Sequence, residues 1–369
     1  MAKGIAPKRT VPKRMARGRS FKAENRAFEQ WLAGRCTVVR QDLKKKHEKM
    51  KDDPFTFLRA TYFRWARRIE TLCPTLARAP AVLSVGDSHL ENFGTWRDAE
   101  GRLVWGVNDF DEAAVMPYPF DLVRLVASAC LAPGLDLSAH DIAAAVLKGY
   151  RRALAEPHPT LLDEKERWMR PYVACSDEER AKFWSDIDDL PAVEPPRAVQ
   201  RGLKKSLPKH ARITRYATRV KGSGSLGRPR FIADAVWRGG RVVREAKALV
   251  PSAWTWAHGG GTDKPQFTAL FTGRYRSPDP WLTVHNGTLF RRIDPDSRKV
   301  ELDAKAQGKL TPRLLTAMGF DLGAIHAAAK RKRVAAIARD LEARPASWLA
   351  AAGADAAADV ERDYKEWTR

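Results

Sequence analysis

The chain has 369 residues, 44% of them apolar and 30% charged, with a formal net charge of +22. That is the composition of an ordinary globule long enough for two domains or two lobes, and no run of about 18 apolar residues is present to span a bilayer. The N-terminus lacks the apolar centre of a secretory signal, and Cys36, Cys73, Cys130 and Cys175 form no CxxC pair, so reduced thiols and a cytoplasmic location are expected.

Met1 to Lys22 carries eight Lys or Arg and no acid, which predicts a disordered basic tail over residues 1–22. Phe21 to Met50 reads as one helix with Phe28, Trp31, Leu32 and Val38 as apolar positions. Phe55 to Leu72 reads as another, opened by Asp53-Pro54. Ala81 to Val85 and Leu103 to Val107 read as short strands that bracket the loop between them, so that acids at their ends converge. Asp121 to Ala132 and the Ser138-capped segment to about Ala155 are helical, and Glu156 to Pro196 reads as helical and acidic. The prolines Pro191, Pro195 and Pro196 mark a lobe boundary. Arg201 to Lys221 is basic with interleaved Leu, Ile and Tyr, as in a structured edge. Arg230 to Trp237 and Val242 to Leu249 alternate about an Arg-Gly-Gly-Arg turn, which predicts a hairpin. Thr311 to the end returns to helical period with Leu314, Leu315, Met318, Leu322, Ile325 and His326 on one side.

Two segments speak about chemistry. Val85-Gly86-Asp87-Ser88-His89-Leu90-Glu91-Asn92 and Val107-Asn108-Asp109-Phe110-Asp111-Glu112 supply a carboxylate, a carboxamide and a second carboxylate. Phosphoryl transfer needs that set, because the protein's task is to aim a hydroxyl and to neutralise phosphate charge through magnesium. In this reading Asp87 takes the hydroxyl proton, Asn92 and Asp109 hold Mg2+, and His89 faces the transferred group. Asp87 and Asp109 are expected to share the cation at the mouths of neighbouring strands. Gly222-Ser223-Gly224-Ser225-Leu226-Gly227 matches GxGxxG, and Lys247 follows on the second hairpin strand. Gly222, Gly224 and Gly227 can cover phosphates with backbone N–H groups while Lys247 grips them; a flexible linker and a solvent-facing strand lysine are the bland alternatives. The glycines precede a hairpin rather than open a helix, which argues against dinucleotide binding. A two-metal hydrolase would use Asp87, His89, Glu91, Asp109 and Asp111 as ligands. His89-x-Glu91 lacks the Pro-Cys-x-x-Cys of zinc deaminases. His326 on its apolar face reads as a satisfied core residue, and Trp254 and Trp256 read as core.

Gly86-Asp87-Ser88-His89-Leu90-Glu91-Asn92 resembles the GDxHxxN loop of aminoglycoside and choline phosphotransferases, and Asp109-Phe110-Asp111-Glu112-Ala113 with Pro119-Phe120-Asp121-Leu122 resembles their metal-binding acid and following helix start. More closely, the chain resembles the bacterial family DUF2252. The shared motifs are Pro54-Phe55-Thr56-Phe57-Leu58-Arg59, the two acidic loops, the Gly222 to Gly227 turn, Lys247 and Leu322-Gly323-Ala324-Ile325-His326-Ala327, in the family's order. Where the family has Lys-Glu-Ala, this chain has Lys247-Ala248-Leu249. The ion-pair partner of Lys247 is therefore sought in Glu301 or in an Asp such as Asp263.

The resemblance implies an α+β, protein-kinase-like two-lobe fold that is circularly permuted, with the catalytic segment ahead of the glycine turn. The expected organisation is the basic tail (1–22), a mostly helical lobe (23–196), a β-containing nucleotide-binding lobe (197–305) and C-terminal helices (306–369) that pack back on the first lobe. The expected activity is ATP- and Mg2+-dependent phosphotransfer to an unidentified acceptor. Adenylyl transfer on the same scaffold, or a nucleotide- or nucleic-acid-binding protein without transferase activity, are the alternatives; the tail and residues 201–221 would then contact a polyanion. No membrane contact is expected.

Overall fold

A computed structural model describes residues 19–164, 166–173, 175–220, 222, 224–259, 265–299 and 311–369. Most of the expected tail, Lys221, Asp263 and Glu301 lie outside the described residues. The architecture is mixed α+β. Helices α1 (Phe21–Ala33), α2 (Arg40–Lys49), α3 (Pro54–Ala60) and α4 (Tyr62–Leu72) come first. Strands β1 (Ala81–Ser84), β2 (Phe93–Arg97), β3 (Leu103–Val107) and β4 (Ala114–Pro117) follow, then α5 (Pro119–Cys130), α6 (Ala139–Ala155), β5 (Thr160–Leu161), α7 (Arg170–Val173), α8 (Asp177–Asp188) and α9 (Arg197–Ser206). Next come β6 (Arg212–Thr218), β7 (Arg230–Trp237), β8 (Gly240–Ala248), α10 (Ala253–His258), α11 (Phe267–Phe271), β9 (Thr283–His285) and β10 (Thr288–Ile293). The chain closes with α12 (Pro312–Ala327), α13 (Arg331–Glu342) and α14 (Trp348–Thr368).

Local chemistry explains where the helices start and where the expected long ones break. Ser20 caps α1, and Phe21 is wholly buried against Phe57, Phe63 and Trp367, so folded structure begins inside the stretch expected as tail. The helix expected over 21–50 is two helices: Gly34 closes α1, and the chain turns before α2. The helix expected over 55–72 also divides, at Thr61, whose hydroxyl bonds back to the Phe57 carbonyl while its backbone leaves helical geometry (φ −125°, ψ 33°). Asp53 caps α3 through Thr56 N, and Ser138 caps α6 through Asp141 N, each accepting a free N–H of a first turn. Segment 156–196 contains the short β5 beside helices α7 and α8, so its helical expectation holds only in part.

Among the described residues three antiparallel sheets form. β1 pairs with β4; β2, β3 and β5 form a second sheet; and β6-β7-β8-β10-β9 form a five-stranded sheet with the β7–β8 hairpin at its centre. The two strands expected to be neighbours, β1 and β3, therefore sit in different sheets, and their loops meet by another route. The main core joins α3, α4, α5, α6, α12 and α14 through Phe57, Phe63, Leu125, Val146, Leu315 and Leu349. α12 lies close on α6 because Gly149 leaves no room to fill: a Cβ there would come 1.8 Å from the Thr316 carbonyl oxygen. α9 covers the far face of the five-stranded sheet, where Leu203 meets Ala233, Ala246 and Phe290. Burial of this apolar surface, at roughly 25 cal/mol per Å², is the main stabilising term. Cys36, Cys73, Cys130 and Cys175 are free thiols. Among the described residues no helix is long and apolar enough to cross a membrane.

Candidate functional site

The loop after β1 is fixed from behind by one carboxylate. Asp121, wholly buried in the first turn of α5, accepts Val85 N at 2.7 Å and Gly86 N at 2.8 Å, and its carbonyl accepts the Ser88 hydroxyl at 2.7 Å. Its Oδ2 also meets His326 Nε2 at 3.1 Å, and His326 Nδ1 meets the Tyr150 hydroxyl at 2.8 Å. His326 is the core residue its apolar helix face suggested. Gly86 has φ +83°, and a Cβ there would stand 2.3 Å from the Glu112 carbonyl oxygen, so both the bend and the close approach require glycine.

Asn92 joins the two acidic loops. Its Nδ2 donates to the Asp87 and Asp109 carbonyls, each at 3.0 Å, and Asn108 N donates to its carbonyl at 3.1 Å. Among the described residues its Oδ1 is buried with no partner, as are His89 Nδ1, Asn108 Oδ1 and Asp111 Oδ1. Buried polar atoms are almost always satisfied, so orphaned oxygens gathered around one cavity call for water, an ion or a ligand.

That cavity encloses about 1160 Å³ and is lined by Asp87, His89, Asn92 and Asp109 on one side and by Gly222 and Gly224 on the other. Asp87 Oδ1 accepts Arg124 Nε at 3.0 Å and Nη2 at 2.7 Å, and its Oδ2 lies 3.8 Å from His89 Nε2. Burial raises the Asp87 carboxyl above the usual range, although Arg124 pulls the other way and Asp109 adds like charge. Burial, with Arg59, Lys299 and Arg124 nearby, pushes His89 well below the usual imidazole range, so it is neutral at pH 7.

Lys247 enters from β8 with 1% of its side chain exposed, and its ammonium lies 2.9 Å from Asp109 Oδ2 and 2.6 Å from Asp111 Oδ2. It is thus no solvent-facing lysine, and among the described residues its acids come from the early loop. Burial opposes ionisation of Asp109, but Lys247, Lys299 and Arg291 hold it well below the carboxylate range; Asp111 is pushed up by burial and by Asp109. Glu112 rises to about 7, mainly through burial, against the Arg228 charge and the Ala253 N–H. Lys46 and Lys299 fall to about 8 through burial.

The glycine turn divides. Gly222 (φ +85°) and Gly224 line the cavity, and a Cβ on Gly224 would come 3.9 Å from Asp87 Oδ2. Gly227 stands apart: its carbonyl accepts Val39 N at 2.9 Å and it packs on Leu43, so it anchors the turn to α2 instead of facing the cavity. Ser223 lies outside the described residues.

Among the described residues no group of three or more His, Cys, Asp or Glu side chains is arranged to hold a metal ion. The five-ligand hydrolase set does not assemble, because Glu91 pairs with Arg59 at 2.5 Å, Asp87 with Arg124, and Asp111 with Lys247 and Arg228. The same pairings bear on a cation shared by Asp87 and Asp109, since each carboxylate already faces a protein cation. A magnesium ion bound with substrate phosphates needs less, commonly one or two protein oxygens. The orphaned Asn92 Oδ1 and the Asp109 carboxylate fit that demand. The basic stretch 201–221 also divides: Lys204, Lys205, Lys209 and Arg212 are exposed, while Arg215 and Arg219 turn in to Asp234 and Glu245.

Sequence reasoning gave no role to Arg124, Lys46, Arg228, Lys299 or Glu112. Arg124 carried a signal, a single cation inside the apolar run Leu122-Val123-Arg124-Leu125-Val126. The others sit in polar surroundings that mark nothing. No curated protein and no solved structure matches the chain. Residues 38–182, which include Arg59, both acidic loops and the Asp121 helix start, match the family described as an uncharacterized protein conserved in bacteria, DUF2252.

Proposed function

We propose that the cleft binds ATP with Mg2+ and transfers a phosphoryl group to a hydroxyl-bearing acceptor, as a kinase-like phosphotransferase. The observation that carries this reading is the meeting, around one cavity, of Asp87, His89, Asn92 and Asp109 with a glycine turn, beside the buried Lys247 that reaches Asp109. These are the parts that phosphoryl transfer uses in protein kinases: a base, a carboxamide and a carboxylate for the metal, a strand lysine and a covering loop. The five-stranded sheet, with its glycine turn between β6 and β7 and its lysine on the third strand, supports the likeness, and in this reading the chain order is permuted.

Asp87 accepts the acceptor proton; burial raises its affinity for that proton, while Arg124 fixes the carboxylate direction. Neutral His89 offers a hydrogen bond to the transferred group, and Lys247, Gly222 and Gly224 hold the phosphates. Asn92 Oδ1 and Asp109 would hold Mg2+, which when bound neutralises charge on the phosphate oxygens. The test is turnover of Mg·ATP by Asp87→Asn. A fall of about 10²- to 10⁴-fold is expected in protein shown by its melting curve to be folded; unchanged turnover removes Asp87 from the chemistry.

A further inference from the structure

On the cleft side of the five-stranded sheet, beyond Lys247, lies a charged cluster that the transfer chemistry leaves unused. Glu245 is wholly buried and stands two residues before Lys247, hence on the same face of β8. Strand register puts Arg291 opposite Glu245 and Arg230 opposite Lys247, and Arg219 arrives just past the end of β6. All three guanidiniums converge on the one carboxylate. Arg219 Nη1 donates to Glu245 Oε1 at 2.8 Å, Arg230 Nη1 to both oxygens at 3.1 Å, and Arg291 Nε to Oε2 at 2.7 Å.

One carboxylate offsets one guanidinium. Among the described residues no second acid lies within ion-pair distance of these arginines, and Asp109 and Asp111 act on Arg291 only from further off, so guanidinium charge exceeds carboxylate charge in a partly enclosed space. Unmatched charge away from bulk water is costly unless a counter-ion arrives. Arg219, Arg230 and Arg291 all line the cavity that holds Asp87 and Asp109, so an anion entering it reaches them. Arg230 Nη2 also donates to Ser225 Oγ at 2.9 Å, tying the cluster to the glycine turn. Glu245 is held well below the carboxylate range by these arginines despite its burial, so it stays ionised and keeps them fanned. Planar guanidiniums in a fixed fan suit phosphate oxygens, which accept paired N–H donors.

We propose that Arg219, Arg230 and Arg291, held by Glu245, form a second phosphate-binding subsite, separate from the Lys247–Asp109 pair, that receives a phosphate group of a substrate in the cleft. The subsite rests on the ATP-dependent reading only for the neighbouring nucleotide position. Its phosphate comes either from the nucleotide's own chain or from a phosphorylated acceptor.

Calorimetric titration of the full chain with inorganic tripolyphosphate, and separately with Mg·ATP, tests this. Arg219→Gln and Arg291→Gln are each expected to weaken tripolyphosphate binding by about tenfold or more. Arg241→Gln, whose native partners are Asp188 and Asp234 outside the cavity, is expected to change nothing. Arg219→Lys keeps the charge, serves as the check should the Gln variants melt early, and is expected to weaken binding less than Arg219→Gln does. Parallel loss of Mg·ATP affinity assigns the phosphate to the nucleotide; loss confined to tripolyphosphate assigns it to the acceptor. Wild-type affinity for both ligands in folded Arg219→Gln and Arg291→Gln overturns the subsite. If Lys247→Met still abolishes Mg·ATP binding in that case, the nucleotide reading survives; if Lys247→Met also binds normally, that reading falls as well.

Discussion

The loop that carries Asp87 and the sheet face that carries Lys247 meet at the same cavity but are held by different forces. Behind Asp87, backbone N–H groups of Val85 and Gly86 are bound by a buried acid that is itself braced by His326 and Tyr150. Lys247, Arg228 and the arginines on Glu245 are instead held by side-chain ion pairs, with Arg228 and those arginines lining the cavity and Lys247 buried just beneath it. The first kind of contact sets geometry and tolerates no substitute. The second can be exchanged for contacts to an anionic ligand, because the same cations that grip a carboxylate grip a phosphate.

This contrast can be broken or sharpened by experiment. The largest effect belongs to Asp87→Asn: Mg·ATP turnover is lost, and because the substitution leaves the buried Arg124 without its carboxylate, the turnover is read on protein shown to be folded. Next is Asp121→Ala, which strands two N–H groups and His326 in the core; a loss of about 3–5 kcal/mol is expected in urea unfolding. Lys247→Met should show the opposite profile, because Lys299, Arg291 and Arg228 remain near the acids it leaves. Mg·ATP affinity should collapse in titration, while urea unfolding loses less than in Asp121→Ala, since the remaining cations offset part of the roughly 3–5 kcal/mol that a broken buried pair costs. If Lys247→Met proves the more destabilising of the two, the distinction between scaffold and exchangeable contacts fails.

Glu112 gives a smaller, pH-dependent effect. Its folded value of about 7 lies above the ordinary 4.5, so the folded state holds the proton more tightly. Its contribution is therefore fully present below pH 4.5 and is lost as pH rises through 7. Lys46 and Lys299, lowered from 10.5 to about 8, act above that window: their charge burden falls on the folded state below pH 8 and is relieved as pH rises to 10.5. His89 opposes Glu112 on the acid side, so the clean reading is the difference between wild type and Glu112→Gln. Melting temperatures from pH 5 to 8 should fall more steeply in wild type; parallel curves would mean that Glu112 ionises normally. The smallest effect is Lys182→Ala, which removes an exposed i,i+4 pair with Asp186 and should leave the unfolding curve nearly unchanged.

Much of this organisation was legible beforehand where the cause is local. The Ser138 cap, the β7–β8 turn and the His326 core face were readable because capping, turn chemistry and periodicity act within a few residues. The breaks at Gly34 and Thr61 were missed because apolar spacing runs across them unchanged. β1 and β3 looked like neighbours in sequence, yet they joined separate sheets, and Asn92 supplied the link between their loops. Gly227 fitted a phosphate motif by spacing and serves α2 instead, a difference no short pattern encodes.

By itself the sequence singled out Asp87, His89, Asn92, Asp109, Gly222, Gly224 and Lys247 through residue type and spacing along short segments, and the fold gathers them at or beside one cavity. Only the tertiary structure decided who pairs with whom. Lys247 found Asp109 and Asp111, Arg124 found Asp87, and three arginines found Glu245. The physical reason is that local hydrogen bonding and periodicity are written in neighbouring residues, whereas an ion pair in a cavity depends on sheet register and helix packing, which bring distant parts of the chain to the same few ångströms.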